Sequence, residues 1–115
     1  MSSSQATNSK EQHELCPRFH KAVELIGRRW SGAIIAVLMN GALRFNELLA
    51  AVPGISDRLL TERLRELEAA GIVGRDVQAG SPVRVSYSLT ERGCELTGVI
   101  DALGRWAERW IAVEA

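Results

Sequence analysis

One stretch of the chain, residues 55–71, combines an apolar stripe with four polar side chains at helical spacing. When residues advance by about 100° each, Leu60, Leu64 and Leu67 share one side of a helix. The opposite side carries Arg58, Thr61, Glu62 and Arg65. Arginine can donate to guanine, glutamate can accept from the cytosine amine, and threonine can contact a thymine methyl group or a phosphate. These residue types at this spacing indicate contacts with the edges of base pairs.

An ordinary solvated helix gives a similar pattern, because Arg58 and Glu62 are an i,i+4 ion pair of the kind found on many helix surfaces. The residues before the stretch favour the nucleic-acid interpretation. Pro53-Gly54 breaks the chain sharply, so the short helix predicted over 44–52 and the next one form a helix-turn-helix. Ser56 is expected to cap the second helix, whose N-terminal N–H groups can hold a phosphate.

Two strand-like runs, 73–78 and 84–89, follow this helix directly, with Ala79-Gly80-Ser81-Pro82 as a turn signal between them. Alternation in the second run places its apolar side chains on one face. Arg84 lies beside the turn, where it could enter a minor groove, grip a phosphate, or merely solvate the tip of the hairpin. A helix joined to such a hairpin predicts a winged helix-turn-helix.

The remaining elements are helices that position this unit. The periodicity predicts one helix from Pro17 to Gly27, a second from about Ser31, its predicted N-cap, to Met39, and a last one from Thr90 nearly to the end. The fold class is therefore mainly α with a small β-hairpin wing (α+β). We expect residues 1–12 to form a flexible tail and residues 13–115 to form one winged-helix DNA-binding and dimerisation domain. The predicted DNA-contacting residues are Arg44, Ser56, Asp57, Arg58, Thr61, Glu62, Arg65 and Arg84.

The composition excludes several classes of protein and raises one objection. The chain has 115 residues and a formal net charge of +0, whereas domains that bind nucleic acid are usually basic, so any positive surface must come from the placement of its arginines. It has no secretory signal and no apolar run long enough to cross a membrane, which predicts a cytoplasmic protein. His13, Cys16 and His20 are too loosely spaced to predict a metal site, and we expect no metal and no cofactor.

The last helix carries a wide apolar stripe that includes two tryptophans, a large area for a small domain to cover. We expect part of it to bury against a second copy of the chain, together with apolar residues near the N-terminus. A two-fold dimer would place two recognition helices about 34 Å apart, one turn of DNA. In the alternative, the helix folds back on its own core in a monomer. The predicted dimerisation residues are Leu15, Phe19, Val99, Leu103, Trp106 and Trp110.

Cys16 precedes Pro17 at the predicted start of the first helix, where the partial positive charge of the helix favours a thiolate. Arg18, His20 and Lys21 add positive groups, so Cys16 is the candidate redox-sensing residue, responding to oxidants or electrophiles. In the alternative, it is an unreactive capping residue at the edge of the dimer. Cys94 is expected to be a small core residue, and a Cys16–Cys94 bridge between subunits stays open.

Several segments follow one another in the order found in a known family: Cys16-Pro17, Ile26-Gly27-Arg28-Arg29-Trp30, Arg44-Phe45-Asn46-Glu47-Leu48, the runs 53–61, 63–68 and 84–91, and Gly93. Over about residues 16–110, the chain resembles the HxlR family of winged-helix regulators, which is related to MarR-type repressors. The resemblance implies a dimeric regulator of transcription that binds operator DNA, with Arg58, Thr61, Glu62 and Arg65 on the recognition helix. It also implies that a cysteine at the position of Cys16 senses oxidants or electrophiles in some members.

The chain departs from the family at Arg28-Arg29, where a Gly-Lys pair is common, but its basic character survives. We expect a DNA-binding regulator, most simply a repressor, and not an enzyme, because neither a nucleophile–base set nor a phosphate loop is present. Two alternatives stay open. One is a winged-helix module that binds another protein, and the other is a regulator that responds to a non-covalent ligand at the dimer interface.

Overall fold

A computed structural model describes residues 14–113 of the chain. The predicted tail, residues 1–12, lies outside the described residues, as does His13. Within them the elements are α1 (Pro17–Gly27), α2 (Ser31–Leu38), β1 (Leu43–Arg44), α3 (Phe45–Ala51), α4 (Asp57–Ala69), β2 (Val73–Gln78), β3 (Arg84–Leu89), α5 (Glu91–Cys94) and α6 (Thr97–Trp110). The predicted α+β fold class is confirmed, with α3 and α4 as the helix-turn-helix and β2–β3 as the wing.

The core lies where α2, α3 and α4 meet one end of the sheet. Its side chains are almost all branched aliphatics, which fill a small core without burying polar atoms. The buried apolar residues of the core are Ile34, Ile35, Leu38, Leu48, Val52, Ile55, Leu60, Leu64, Leu67, Ile72 and Val73. Because α2 supplies three of them and contacts both α1 and α6, it is the element on which the terminal helices rest.

Two of the predicted helix caps are present. The Ser56 hydroxyl accepts a hydrogen bond from the Leu59 N–H at 3.1 Å, and the Thr90 hydroxyl accepts one from the Gly93 N–H at 3.1 Å. The predicted cap at Ser31 is wrong, since Ser31 is the buried first residue of α2 and Trp30 is the cap residue. Trp30 has φ 79, a left-handed conformation that is costly for a tryptophan. This conformation places its indole against Gly54 in the helix-turn-helix.

The sheet has three antiparallel strands in the order β1-β3-β2. Strands β2 and β3 pair along their whole length, from Val73 opposite Leu89 to Gln78 opposite Arg84. Strand β1, which the sequence did not predict, adds two residues beside β3, with Leu43 opposite Tyr87. Two residues are too few to show alternation, so only the tertiary structure reveals this strand.

The predicted continuous last helix is wrong, because the chain forms the short α5 and then α6. At the junction, the Leu96 N–H donates to the Gly93 carbonyl, an i→i−3 bond, at 3.0 Å. The Thr97 hydroxyl donates to the Cys94 carbonyl at 2.8 Å. These bonds replace part of the regular α-helical ladder between α5 and α6. None of the helices between residues 14 and 113 is both long and apolar enough to cross a membrane.

Candidate nucleic-acid interface

The predicted amphipathic pattern of α4 is confirmed. Leu60, Leu64 and Leu67 are at most 1% exposed. On the other side, the Arg58 side chain is 88% exposed, and Arg65 is also exposed. The helix therefore presents two of its three arginines outward while its leucines hold it in the core.

Two hydrogen-bonded groups lie between these arginines. The Arg58 Nε lies 3.3 Å from Oε2 of Glu62, so the i,i+4 pair expected for a surface helix is formed. The Thr61 hydroxyl donates to the Asp57 carbonyl at 2.9 Å, which leaves its oxygen free to accept another bond. Thr61 and Glu62 are half-buried, so they are less accessible to solvent than Arg58 and Arg65 on the same outer face.

The N-terminal end of α4 is open to solvent, and both Ser56 and Asp57 are exposed there. The Ser56 cap binds only the Leu59 N–H among the first N–H groups of the helix. Free N–H groups and the positive end of the helix dipole suit a phosphate oxygen, while Asp57 adds a local negative charge.

Arg44 and Arg84 are both exposed and line one open groove, between the start of α3 and the tip of the wing. The Glu47 carboxylate accepts from the Arg44 backbone N–H at 2.8 Å, which fixes the start of α3. The structure thus brings together two predicted contact residues that lie 40 positions apart in the sequence. A strip of backbone phosphates is the kind of ligand that two neighbouring guanidinium groups bind.

A second groove runs between α4 and the sheet, and it contains a residue that the sequence did not single out. Arg75 of β2 lines it together with Thr61 and Arg65 of α4, and with Tyr87 of β3. Arg75 lies opposite Tyr87 in the β2–β3 register. The signal was present in the sequence, because Arg75 interrupts the alternation of Val73 and Val77 with a cation. Arg75 joins the candidate interface.

The terminal helices expose the residues predicted to form a dimer. Neither α1 nor α6 contains a fully buried residue, and many of their large apolar side chains face solvent. All six predicted dimerisation residues are exposed by 49% or more: Leu15, Phe19, Val99, Leu103, Trp106 and Trp110. Exposed apolar area of this extent is typical of a contact surface.

Cys16 is the N-cap residue of α1, directly before Pro17, and its thiol is free and exposed. The nearby His20 lies 3.3 Å from a carboxylate oxygen of Glu24. The expectation that Cys94 is a core residue is wrong, since it is also free and exposed. Its neighbour Gly93 turns inward instead and packs against the Ile72 backbone, so Cys94 points away from the core. No group of three metal-binding side chains occurs among residues 14–113.

The family model for the HxlR-like helix-turn-helix matches residues 25–115, most of the chain. The chain belongs to the HxlR family of helix-turn-helix transcriptional regulators. It is 48% identical over 100 residues to the HTH-type transcriptional regulator YvaP of Bacillus subtilis (strain 168). The aligned residues cover 87% of this chain and 93% of YvaP. It is also 45% identical over 96 residues to the HTH-type transcriptional regulator YodB of the same organism, and these residues cover 84% of this chain and 86% of YodB. The family consists of transcriptional regulators, not enzymes.

Solved structures of two regulators share this fold. Reduced YodB superposes with a TM-score of 0.77 at 42% identity, covering 89% of this chain and all of that one. YodB is also known in diamide-treated and quinone-bound forms. The redox regulator HypR in its oxidised form gives a TM-score of 0.80 at 40% identity, covering 85% of this chain and all of that one. The winged helix-turn-helix is therefore shared with regulators studied in more than one redox state.

Proposed function

We propose that this HxlR-family protein represses transcription by binding operator DNA as a homodimer, with α4 in the major groove and the wing against the flanking backbone. The observation that carries the proposal is the outward placement of Arg58 and Arg65 beside a hairpin that carries Arg75 and Arg84. Arg65 and Arg75 line one groove and Arg44 and Arg84 line another, so the positive side chains are paired locally although the net charge of the chain is +0. As a reader of chromosomal DNA, it would act in the cytoplasm.

The α4 residues would read base edges, and the others would hold the backbone. Arg58 and Arg65 have the donor geometry for guanine, and Glu62 is an acceptor for the cytosine amine. The open end of α4 at Ser56, together with Arg44 and Arg84, would fix the register through phosphates. Binding of this kind loses affinity steeply as salt rises.

The second copy would cover the apolar faces of α1 and α6. Each helix packs on α2 and leaves large apolar side chains in solvent, among them Phe19, Leu103 and Trp106. Burying these surfaces against the same surfaces of a second chain stabilises both helices by the hydrophobic effect. Two-fold symmetry then gives two recognition helices for the two halves of a palindromic operator.

Cys16 would carry the regulatory signal. Its exposed thiol lies at the N-terminus of α1, one of the two helices assigned to the dimer. A thiolate there would add to a ring carbon of a quinone: the S–C bond forms as the ring C=C π bond breaks, its electrons move to a quinone oxygen, and that oxygen takes up a proton from water. Oxidation by diamide would instead remove two electrons from a pair of thiols and join them as a disulfide, with diamide reduced to the hydrazine. Either product would alter the dimer that holds the recognition helices.

Selection from random duplexes tests the DNA-binding proposal. The purified protein is expected to enrich a palindromic site, which it then binds with an affinity that falls steeply between about 50 and 200 mM salt. Failure to bind any duplex would contradict the proposal and favour a winged-helix module that binds another protein.

The sensing proposal is tested on the selected duplex with diamide and with a quinone. After either treatment, the wild-type protein is expected to release the DNA, and the Cys16→Ser variant is expected to stay bound. The matched control is Cys94→Ser, which also removes a single exposed thiol. This control is expected to release the DNA after quinone treatment. A Cys16→Ser protein that responds as wild type does would exclude Cys16 as the sensor and point to the other exposed thiol, Cys94.

A further inference from the structure

Arg63 is a buried arginine on the recognition helix. Its side chain is only 9% exposed, although arginine is rarely buried unless it is paired. Its Nε donates to the Arg29 carbonyl at 2.9 Å, which joins α4 to the turn between α1 and α2. That turn is itself held in place, because the Arg29 guanidinium stacks over the Trp30 ring at 4.9 Å and the Trp30 indole contacts Gly54. One end of the Arg63 guanidinium is therefore anchored to a fixed part of the domain.

The other end of the guanidinium meets two carboxylates of α4. Its terminal nitrogen lies 3.3 Å from Oε2 of Glu66 and 3.7 Å from Oε1 of Glu62. The second oxygen of Glu66 lies 3.4 Å from Arg28, and the second oxygen of Glu62 lies 3.3 Å from Arg58. The result is an unbroken row of alternating charges, which we call the α4 ion-pair row: Arg28, Glu66, Arg63, Glu62 and Arg58.

The row begins at the end of α1 and ends at a residue of the candidate DNA interface. An isolated surface pair such as Arg58–Glu62 adds little, because two mobile side chains lose entropy when they are held together in water. Here Glu62 is different, since its other oxygen faces a guanidinium that burial and the Arg29 carbonyl keep in place. Arg58 thus has a partner whose position is restricted before DNA arrives.

We infer that Arg63 is a positioning residue for DNA recognition, which acts through Glu62 to orient the Arg58 guanidinium and links that orientation to the α1–α2 turn. The inference rests on the proposed function, because it assumes that Arg58 contacts DNA. It extends that function by assigning a role in specificity to a residue that no base or phosphate can reach. It also gives α1, the helix that begins next to Cys16, a direct connection to the reading side chain.

A double-mutant cycle between Arg63 and Arg58 separates positioning from simple support of the fold. The probe is a duplex selected by the wild-type protein, and affinity is measured by fluorescence anisotropy with the folded fraction checked by circular dichroism. Arg63→Met, which retains an apolar side chain of similar length, is expected to weaken binding about fivefold to thirtyfold when Arg58 is present. In an Arg58→Ala background, the same change should cost less than about twofold.

Arg92→Met is the matched control. Arg92 also holds an end of α4 through a backbone carbonyl, that of Ala70 at 3.0 Å, but it has no connection to Arg58. Its replacement should leave DNA affinity within about twofold of wild type in both backgrounds. If Arg63→Met does not fold, Arg63→Lys, which keeps a buried charge without the Nε donor, enters the same cycle.

Equal losses of affinity with and without Arg58, or no loss in either, would overturn the inference. Both outcomes are distinguishable from failure of the proposed function, in which the wild-type protein selects and binds no duplex.

Discussion

At the scale of single residues, the caps at Ser56 and Thr90 and the outward arginines of α4 follow from the sequence, whereas the buried Arg63 does not. Ser56 was predicted as a cap, and its hydroxyl accepts from the Leu59 N–H. Arg63 went unassigned, although it falls about 60° from Leu60 on the helix and thus on the apolar side. Periodicity cannot show that a charged residue at such a position is paired with carboxylates and a backbone carbonyl.

The Ser56 cap gives a prediction about stability. Ser56→Ala should lower the free energy of unfolding by about 1 kcal/mol, because the Leu59 N–H loses its acceptor. Urea denaturation followed by circular dichroism measures the change. Ser81→Ala is the control, since Ser81 is exposed in the wing turn and caps no helix, and its unfolding midpoint should not move. A stability loss shared equally by the two variants would contradict the assignment.

At the scale of elements, the junction between the wing and the last two helices depends on one glycine. A Cβ at Gly93 would lie 2.2 Å from the Ile72 carbonyl oxygen, a contact that only backbone movement could relieve. At Gly98 in α6, a Cβ would meet nothing within 4 Å. The two glycines therefore have opposite roles, one allowing close packing and the other only weakening a helix.

We predict that Gly93→Ala destabilises the protein by about 2 kcal/mol or more, since a backbone contact must open. Gly98→Ala should instead stabilise it by up to about 1 kcal/mol, because alanine favours the helix. Thermal unfolding of the two variants and wild type at one protein concentration measures both effects. The packing shown here would be refuted by a Gly93→Ala protein as stable as wild type.

Most elements were predictable because their periodicity extends over several turns or strand residues. Helix α4 and the β2–β3 hairpin match the segments predicted for them. The misses are at short or tertiary features: the two-residue β1, the left-handed Trp30, and the break between α5 and α6. Strand β1 and the Trp30 conformation depend on contacts with distant segments, and the break depends on i→i−3 bonds that periodicity does not reveal.

At the scale of the whole molecule, two features bear on what the protein binds: its neutral net charge and the exposed apolar faces of its terminal helices. The net charge of +0 leaves no overall attraction to DNA, so binding must come from the local placement of arginines on α4 and the wing. The apolar faces of α1 and α6 leave large side chains such as Trp106 and Trp110 in water. In the proposed complex, a second copy would cover these apolar faces, and a duplex would neutralise the arginines.

The proposed dimer gives a prediction for sedimentation. Wild type should be a dimer at micromolar concentration, and Leu103→Asp should be a monomer, because an unpaired carboxylate buried at the interface costs several kcal/mol. Val77→Asp is the matched control: Val77 is 52% exposed and Leu103 is 57% exposed, but Val77 lies on the wing. A monomeric wild type, or an equal effect of both changes, would contradict the assigned interface.

The measurement closest to the central claim is a salt titration of binding to the selected duplex, for wild type and for the Arg58→Ala/Arg65→Ala double variant. Log affinity of wild type should fall with log salt by about 0.9 per phosphate neutralised, and the double variant should bind at least tenfold more weakly, since each good arginine contact contributes about 1–3 kcal/mol. An Arg92→Ala/Arg105→Ala variant, with two exposed arginines removed elsewhere, should bind as wild type does. Equal affinities of the two double variants would contradict the claim that the outer face of α4 reads DNA.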